Sequence, residues 1–140
     1  MKHCNEEKGF SLIELLLVVV IVALLATIAL PSLLKSKSAA ERAATIGTLK
    51  AIHANQTGFM SHKGRYATLS ELNDYTGKTL GIVAGTTLIR GNYTFYGFPT
   101  VPADLRNQYQ ILAIRFKDHR IISALSLRED GRVDTLIDEL

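Results

Sequence analysis

The sequence predicts an α+β protein in which one long N-terminal helix packs on a small antiparallel sheet of three or four strands. First, the 19 residues from Leu12 to Leu30 include only two polar residues, Glu14 and Thr27. Second, an amphipathic helical pattern follows and continues to about residue 62. Third, the remaining residues form short strand-like segments separated by turn residues. A long helix followed by a run of strands is typical of α+β proteins.

The apolar segment has the length of a membrane-spanning helix. As a helix it would span about 28 Å, close to the roughly 30 Å of a bilayer core. A secretory signal peptide is the alternative, but its apolar region usually has only about 7–15 residues. No cleavage region of small residues follows Leu30 either, and no apolar stretch precedes Cys4 as a lipoprotein signal requires. The pattern therefore favours a membrane helix that is kept in the mature protein over a signal peptide that is removed.

Glu14 is a carboxylate inside this apolar segment. A charge in hydrocarbon costs several kcal/mol unless it finds a partner. The apolar run contains no Lys, Arg or His, so the same segment cannot supply that partner. Two interpretations remain: another chain neutralises Glu14, or Glu14 lies near the membrane interface and reaches water.

Pro31 and a one-sided apolar stripe characterise the second half of the helix. Pro31 removes a backbone donor and clashes with the carbonyl of Thr27, which predicts a kink or local unwinding over residues 27–31. After Pro31, apolar residues recur on one side of the helix and form a stripe, which we expect to pack on the sheet. The stripe consists of Ala39, Ala43, Ile46, Leu49, Ile52, Phe59 and Met60. The charged residues of this half fall mostly outside the stripe; they are Lys35, Lys37, Glu41, Arg42 and Lys50.

The C-terminal part contains signals for one short helix and several strands. Thr68 to Glu71 matches a capping box and predicts a helix that ends near Gly77. Residues 129–131 (Glu-Asp-Gly) form a hairpin turn signal. The predicted strands are Asn92–Phe98, Tyr109–Lys117, Ile121–Arg128 and Arg132–Ile137. The aromatic residues Tyr93, Phe95, Tyr96, Phe98 and Tyr109 are expected to serve the core and the sheet faces rather than a ligand platform.

Composition indicates no catalytic or metal chemistry. The net charge is +3, which by itself does not propose nucleic acid binding and leaves that question open. The four histidines show no metal-ligand spacing, and Asp130, Asp134 and Asp138 do not form a convincing Ca²⁺ ligand set. We therefore expect no enzyme activity, no cofactor and no metal. The single cysteine, Cys4, has no partner for a disulfide within the chain.

The segment KGFSLIELLLVVVIVALLATIALP resembles the class III signal of type IV pilins and the related type II secretion pseudopilins. The matching positions are Gly9, Phe10, Glu14 and Pro31, and the close match covers about residues 8 to 31. The resemblance implies that a prepilin peptidase cleaves after Gly9 and that the new N-terminal residue, Phe10, is N-methylated. It also implies that Glu14 sets the assembly register by lying near the Phe10 amine of a neighbouring subunit. Pro31 corresponds to the helix break of the family.

The resemblance also implies an organisation and a set of partners. Residues 1–9 would form the cleaved leader, 10–30 the transmembrane and assembly helix, 31–62 the amphipathic half of the helix, and 63–140 the globular domain. The partners would be further copies of the chain in a helical homopolymer, the prepilin peptidase, an inner-membrane assembly platform, minor pilins, and lipid before assembly.

The implied location is the bacterial inner membrane, with the N-terminus cytoplasmic and the C-terminal domain periplasmic, followed by a surface or periplasmic filament. The positive-inside rule does not support this orientation. Lys2 and Lys8 in the leader are balanced by two glutamates, whereas Lys35, Lys37 and Arg42 follow the apolar run.

The leading function hypothesis is a structural subunit of a type IV pilus. A pseudopilin of a type II secretion system is the alternative, because both share this N-terminus. Small size, Glu14 and the lack of a Ca²⁺ loop favour the pilus. A plain single-span membrane protein with a ligand- or partner-binding domain is the third hypothesis, and it predicts an uncut leader and a monomer.

Overall fold

The computed structural model describes residues 9–139. Except for Gly9, the predicted leader lies outside these residues, and so does Cys4. The chain divides after Lys37 into two compact units. The long helix α1 (Leu12–Lys63) contributes to both units, and each unit is described separately below.

The first unit consists of the apolar part of α1. The described residues up to Lys37 are exposed, including the apolar side chains from Leu12 to Leu34. The helix continues through Pro31 without interruption. Residues 27–31 of the isolated chain are thus helical rather than unwound, and a break at Pro31 in an assembled state stays a prediction.

The second unit is an α+β domain, as predicted. Its short helix α2 (Leu69–Tyr75) begins with the predicted capping box, in which Thr68 Oγ1 accepts from the backbone N–H of Glu71 and the Glu71 carboxylate accepts from the N–H of Thr68. A one-turn 3-10 helix covers Pro102–Asp104. The strands are β1 (Ile82–Ala84), β2 (Thr87–Arg90), β3 (Tyr93–Phe98), β4 (Gln110–Lys117), β5 (Arg120–Arg128) and β6 (Val133–Asp138).

The sheet has six antiparallel strands in the order of the sequence, so the prediction of three or four strands was too low. The four predicted strands are present as β3 to β6. The missed pair, β1 and β2, has only three and four residues, too few to show an alternating pattern. The two strands pair because Gly85, with φ 64°, allows a two-residue hairpin loop in which Ala84 pairs with Thr87.

One face of the sheet packs on α1 and forms the core. Leu49, Ile52 and Phe59 are buried there and Ile46 is partly buried, which confirms the centre of the predicted stripe. The N-terminal end of the stripe was wrong, because Ala39 and Ala43 are exposed. The sheet contributes mainly large apolar side chains to this core: Leu88, Tyr93, Phe95, Ile111, Leu125 and Leu127.

The buried face of α1 also contains polar residues that hydrophobicity could not predict. Thr45 and Thr48 are buried, and their hydroxyls donate to the carbonyls of Glu41 and Ala44 four residues earlier. Gln56 is fully buried between α1 and the segment before α2. Each of these side chains is accommodated because a backbone group satisfies its polar atoms.

The predicted aromatic cluster is divided between the two faces of the sheet. Tyr93, Phe95 and Tyr109 are buried in the core. Tyr96 is half-buried and Phe98 is exposed. Because successive strand residues point to opposite faces, Tyr96 and Phe98 lie on the face away from α1.

Candidate functional site

The exposed apolar helix of the first unit is the feature of this chain that most needs a partner. Phe10 precedes α1 and is 76% exposed. Leucine, isoleucine and valine side chains are exposed all around the helix up to Leu34. Within the described residues, α1 is the one helix that is long and apolar enough to cross a membrane. A surface of this kind is stable only against lipid or other apolar helices.

Glu14 lies in the first turn of this helix. Its backbone N–H donates to the carbonyl of Ser11 at 3.1 Å, so the carboxylate is close to the helix N-terminus, where the helix dipole favours a negative charge. The neighbours one turn along the helix, Leu17 and Val18, are apolar. Among the described residues, Glu14 takes part in no ion pair. The first unit therefore presents an exposed carboxylate on an apolar helix, just after Phe10.

Gly9 is not required by the packing of the described residues. A Cβ atom built on Gly9 would meet no atom within 4 Å, and its φ lies outside the left-handed region. The packing of residues 9–139 therefore gives no reason for a glycine at this position.

Thr27 is the other polar residue of the apolar segment, and it behaves differently from Glu14. Its hydroxyl donates to the carbonyl of Leu24 at 2.6 Å, so its own helix satisfies it. Glu14 differs in this respect, because its carboxylate needs a partner from outside the apolar segment when the segment is surrounded by lipid or other helices.

Charged side chains near the start of the second unit connect α1 to the sheet. Arg42 Nη1 lies 2.7 Å from Asp138 Oδ2, and Arg42 Nη2 donates to Thr135 Oγ1. Arg115 Nη1 lies 3.0 Å from Glu41 Oε2, an ion pair that lacks hydrogen-bond geometry. The sequence pattern puts Glu41 and Arg42 mostly outside the apolar stripe, which does not predict that they are buried. Both are half-buried instead and tie the helix to β4 and β6.

A histidine and a tyrosine connect α1 to the sheet further along the helix. His53 Nδ1 and Tyr109 Oη lie 2.7 Å apart in a hydrogen bond. The ring of Tyr66 packs on that of Tyr109 edge to face at 4.7 Å between centroids. Burial raises the pKa of Tyr109 above its usual range, with a smaller contribution from Tyr66 and the carboxylates of the β5–β6 turn. These contacts give His53 a structural role.

Two of the three aspartates considered for Ca²⁺ have other contacts. Asp138 is bound to Arg42, and Asp130 Oδ1 accepts from the backbone N–H of Arg132. In residues 9–139, no group of three or more His, Cys, Asp or Glu side chains is arranged to hold a metal ion.

Comparison with known proteins matches the N-terminal region. The family model for the prokaryotic N-terminal methylation motif matches residues 4–30. The type IV major pilin protein PilA of Myxococcus xanthus (strain DK1622) is 40% identical over 60 residues, which cover 43% of this chain and 27% of the relative. The chain thus aligns with only about a quarter of the length of that pilin. No solved structure matches significantly.

The family match agrees with the geometry of the first unit, because the matched residues 4–30 include the start of the membrane-length apolar helix at Leu12. The second unit adds the antiparallel sheet packed on the continuation of that helix. The methylation motif and the apolar helix make the N-terminal region of this chain similar to that of a type IV major pilin.

Proposed function

We propose that this chain is a structural subunit of a type IV pilus. It is made as a prepilin, cleaved after Gly9, N-methylated at Phe10 and polymerised through α1. The observation that carries the proposal is the fully exposed apolar helix with a single carboxylate at Glu14. The same surface would serve as a membrane anchor before assembly and as the contact between helices afterwards.

The amine created by cleavage supplies the partner that Glu14 lacks. After cleavage, Phe10 would carry an ammonium group at the start of the helix. If neighbouring helices are shifted along the filament axis, the Phe10 ammonium of one copy can reach the Glu14 carboxylate of another. Removing one member of a buried ion pair costs about 3–5 kcal/mol, so the pair would favour one register over all others.

Gly9 supports the position of the cut. Since the described residues do not require glycine there, we attribute the glycine to recognition by a prepilin peptidase that needs a small residue before the scissile bond. The peptidase and an inner-membrane assembly platform are the further partners this function requires.

The pilus is distinguished from a secretion pseudopilus by where the chain accumulates. The named relative is a major pilin, which favours the pilus. We would shear the surface of cells that produce the chain, separate released filaments from membranes, and quantify the chain in both fractions. A pilus subunit is expected in the sheared filaments. Retention of a cleaved chain in the membrane would point to a pseudopilus, and retention of an uncut chain to a plain membrane anchor.

A further inference from the structure

The two ends of the sheet differ in charge. Strands β1 and β6 are the edge strands, so each is hydrogen-bonded to a neighbour on one side only. An open edge can accept contacts from another chain, and many proteins protect it. In a filament of identical subunits, an open edge is a surface that another copy can contact, so the chemistry of the two edges bears on assembly.

The β1 edge is basic. Residues 76–91, which run from the end of α2 through β2, contain two basic residues and no acid, a net charge of +2. Lys78 is exposed, and Arg90 Nη1 donates to the carbonyls of Thr79 and Leu80, each at 3.1 Å, which holds the guanidinium beside the segment that leads into β1. Including the nearest preceding acid, the exposed Asp74 of α2, lowers the net charge to +1. The edge keeps a positive sign in either case.

The β6 edge is acidic. Residues 129–139 contain five acids and one base, Arg132, a net charge of −4. Arg42 pairs with Asp138, and Arg120 lies 3.8 Å from Glu139. The three other acids, which take part in no ion pair among the described residues, are Glu129, Asp130 and Asp134. The edge therefore stays negative after its internal pairs are counted.

Each edge also carries an exposed apolar side chain. Ile82 in β1 is 73% exposed, and Leu136 in β6 is 56% exposed. Protein interfaces often have an apolar centre surrounded by charged residues. Burial of the apolar side chain contributes affinity, and the charges orient the partners. The two edges are thus alike in their apolar residue and opposite in sign.

We propose that neighbouring copies of this chain contact each other through these edges, with the basic β1 edge of one copy against the acidic β6 edge of the next. The inference rests on the proposed filament function and names the surfaces that its globular domains use. A helical polymer requires two different surfaces on each subunit, because contacts between identical patches close into a dimer. Pairing either edge with itself would bring like charges together, so the charges disfavour the dimer and favour head-to-tail addition.

Paired cysteines test the contact directly. Ile82→Cys and Leu136→Cys are introduced together in a chain whose single cysteine, Cys4, is replaced by Ser. Sheared filaments are treated with a short bis-maleimide and separated on a denaturing gel. We expect a ladder of dimers, trimers and larger species. The control combines Ile82→Cys with Lys50→Cys, since Lys50 is exposed on α1 and belongs to neither edge; it should give no ladder.

A charge exchange provides a second test that does not depend on the cross-linker. Lys78→Glu should reduce filament yield at low salt, and combination with Asp134→Lys should restore it. Intact filaments that give no ladder, or give the same ladder in the control, would overturn the edge contact and leave the filament function intact. A parent chain that forms no filaments would overturn both proposals.

Discussion

The side-chain amide of Gln56 forms two hydrogen bonds with the backbone of Ala67. Gln56 Nε2 donates to the Ala67 carbonyl, and the Ala67 N–H donates to Gln56 Oε1, each at 2.8 Å. Gln56 is fully buried and Ala67 nearly so. The two hydrogen bonds connect α1 to the segment that leads into α2. They take the place of the hydrogen bonds to water that the buried N–H and carbonyl of Ala67 have lost.

Gln56→Leu should lower the free energy of unfolding by about 3 kcal/mol, because it leaves a buried N–H and a buried carbonyl without partners. Urea denaturation of the full chain in detergent, followed by the near-UV signal of its tyrosines, measures this change. The same substitution at the exposed Gln108 is the control and should change the free energy by less than about 0.5 kcal/mol. Equal effects at the two positions would contradict the role of the Gln56–Ala67 pair.

Gly131→Ala should destabilise the domain by two separable effects. Its φ of 80° disfavours any side chain by about 1 kcal/mol, and an added Cβ would lie 2.9 Å from His53 Nε2. Gly85→Ala is the matched control, since Gly85 has φ 64° and no atom within 4 Å of its Cβ position.

A double-mutant cycle isolates the contact with His53. In a His53→Ala background, Gly131→Ala should cost no more than Gly85→Ala, as measured by urea denaturation. If the cost of Gly131→Ala were the same with and without His53, the packing of the β5–β6 turn on His53 would not matter for stability.

The Arg65–Glu71 pair makes stability dependent on acid pH. Hydrogen bonding from Arg65 lowers the pKa of Glu71 to about 2 from its usual 4.5. Because the pKa is lower in the folded state, the stabilisation is complete above pH 4.5 and is lost as the pH falls towards 2. The carboxylate is partly exposed, which weakens the effect through solvent screening.

Glu71→Gln should therefore flatten the decline of the melting temperature between pH 4.5 and pH 2. Thermal melts at several pH values measure this dependence. Glu129→Gln is the control, because Glu129 is exposed and in no ion pair of the described residues. A Glu71→Gln profile as steep as that of the parent chain would assign the acid sensitivity to other groups.

These residues show which parts of the fold the sequence could predict. The stripe from Ile46 to Phe59, the capping box at Thr68 and the four longer strands follow from periodicity and turn chemistry, which depend on neighbours in sequence. Gln56 gave no such signal. Its burial depends on hydrogen bonds to the backbone of Ala67, which lies 11 positions away in the sequence. The same reason explains why the contacts of Glu41 and Arg42 were not predicted, since their partners lie on β4 and β6.

The candidate site, unlike the sheet, depends on a local sequence signal, and the roles of its residues stay predictions. Gly9, Phe10 and Glu14 form a local motif at the start of a membrane-length apolar run, and the family model for N-terminal methylation covers the same segment. The hairpin of β1 and β2 was missed because its short strands depend on pairing with β3 rather than on their own pattern.

Gly9→Leu should block processing while leaving the fold intact, since a side chain at this position meets no atom of the described structure. The intact mass of the chain in membrane extracts reports processing. Gly47→Leu is the control, because Gly47 also has open space around its Cβ position but lies far from the cut. A mature mass unchanged by Gly9→Leu would refute cleavage at this glycine.

Glu14→Ala should reduce the yield of sheared filaments without preventing leader cleavage, because it leaves the Phe10 ammonium of the neighbouring subunit unpaired. Thr27→Ala is the control, since the Thr27 hydroxyl bonds to its own helix and needs no partner. Normal filaments from the Glu14→Ala chain would contradict the role of Glu14 in setting the register.

The proposed filament subunit is tested most directly by the N-terminal residue and the intact mass of the chain in sheared filaments. The proposed function predicts a chain that begins at Phe10 and carries one methyl group on its amine. That result would show that cleavage creates the ammonium group that Glu14 requires. A chain that keeps its leader, or that begins at another residue, would contradict the account.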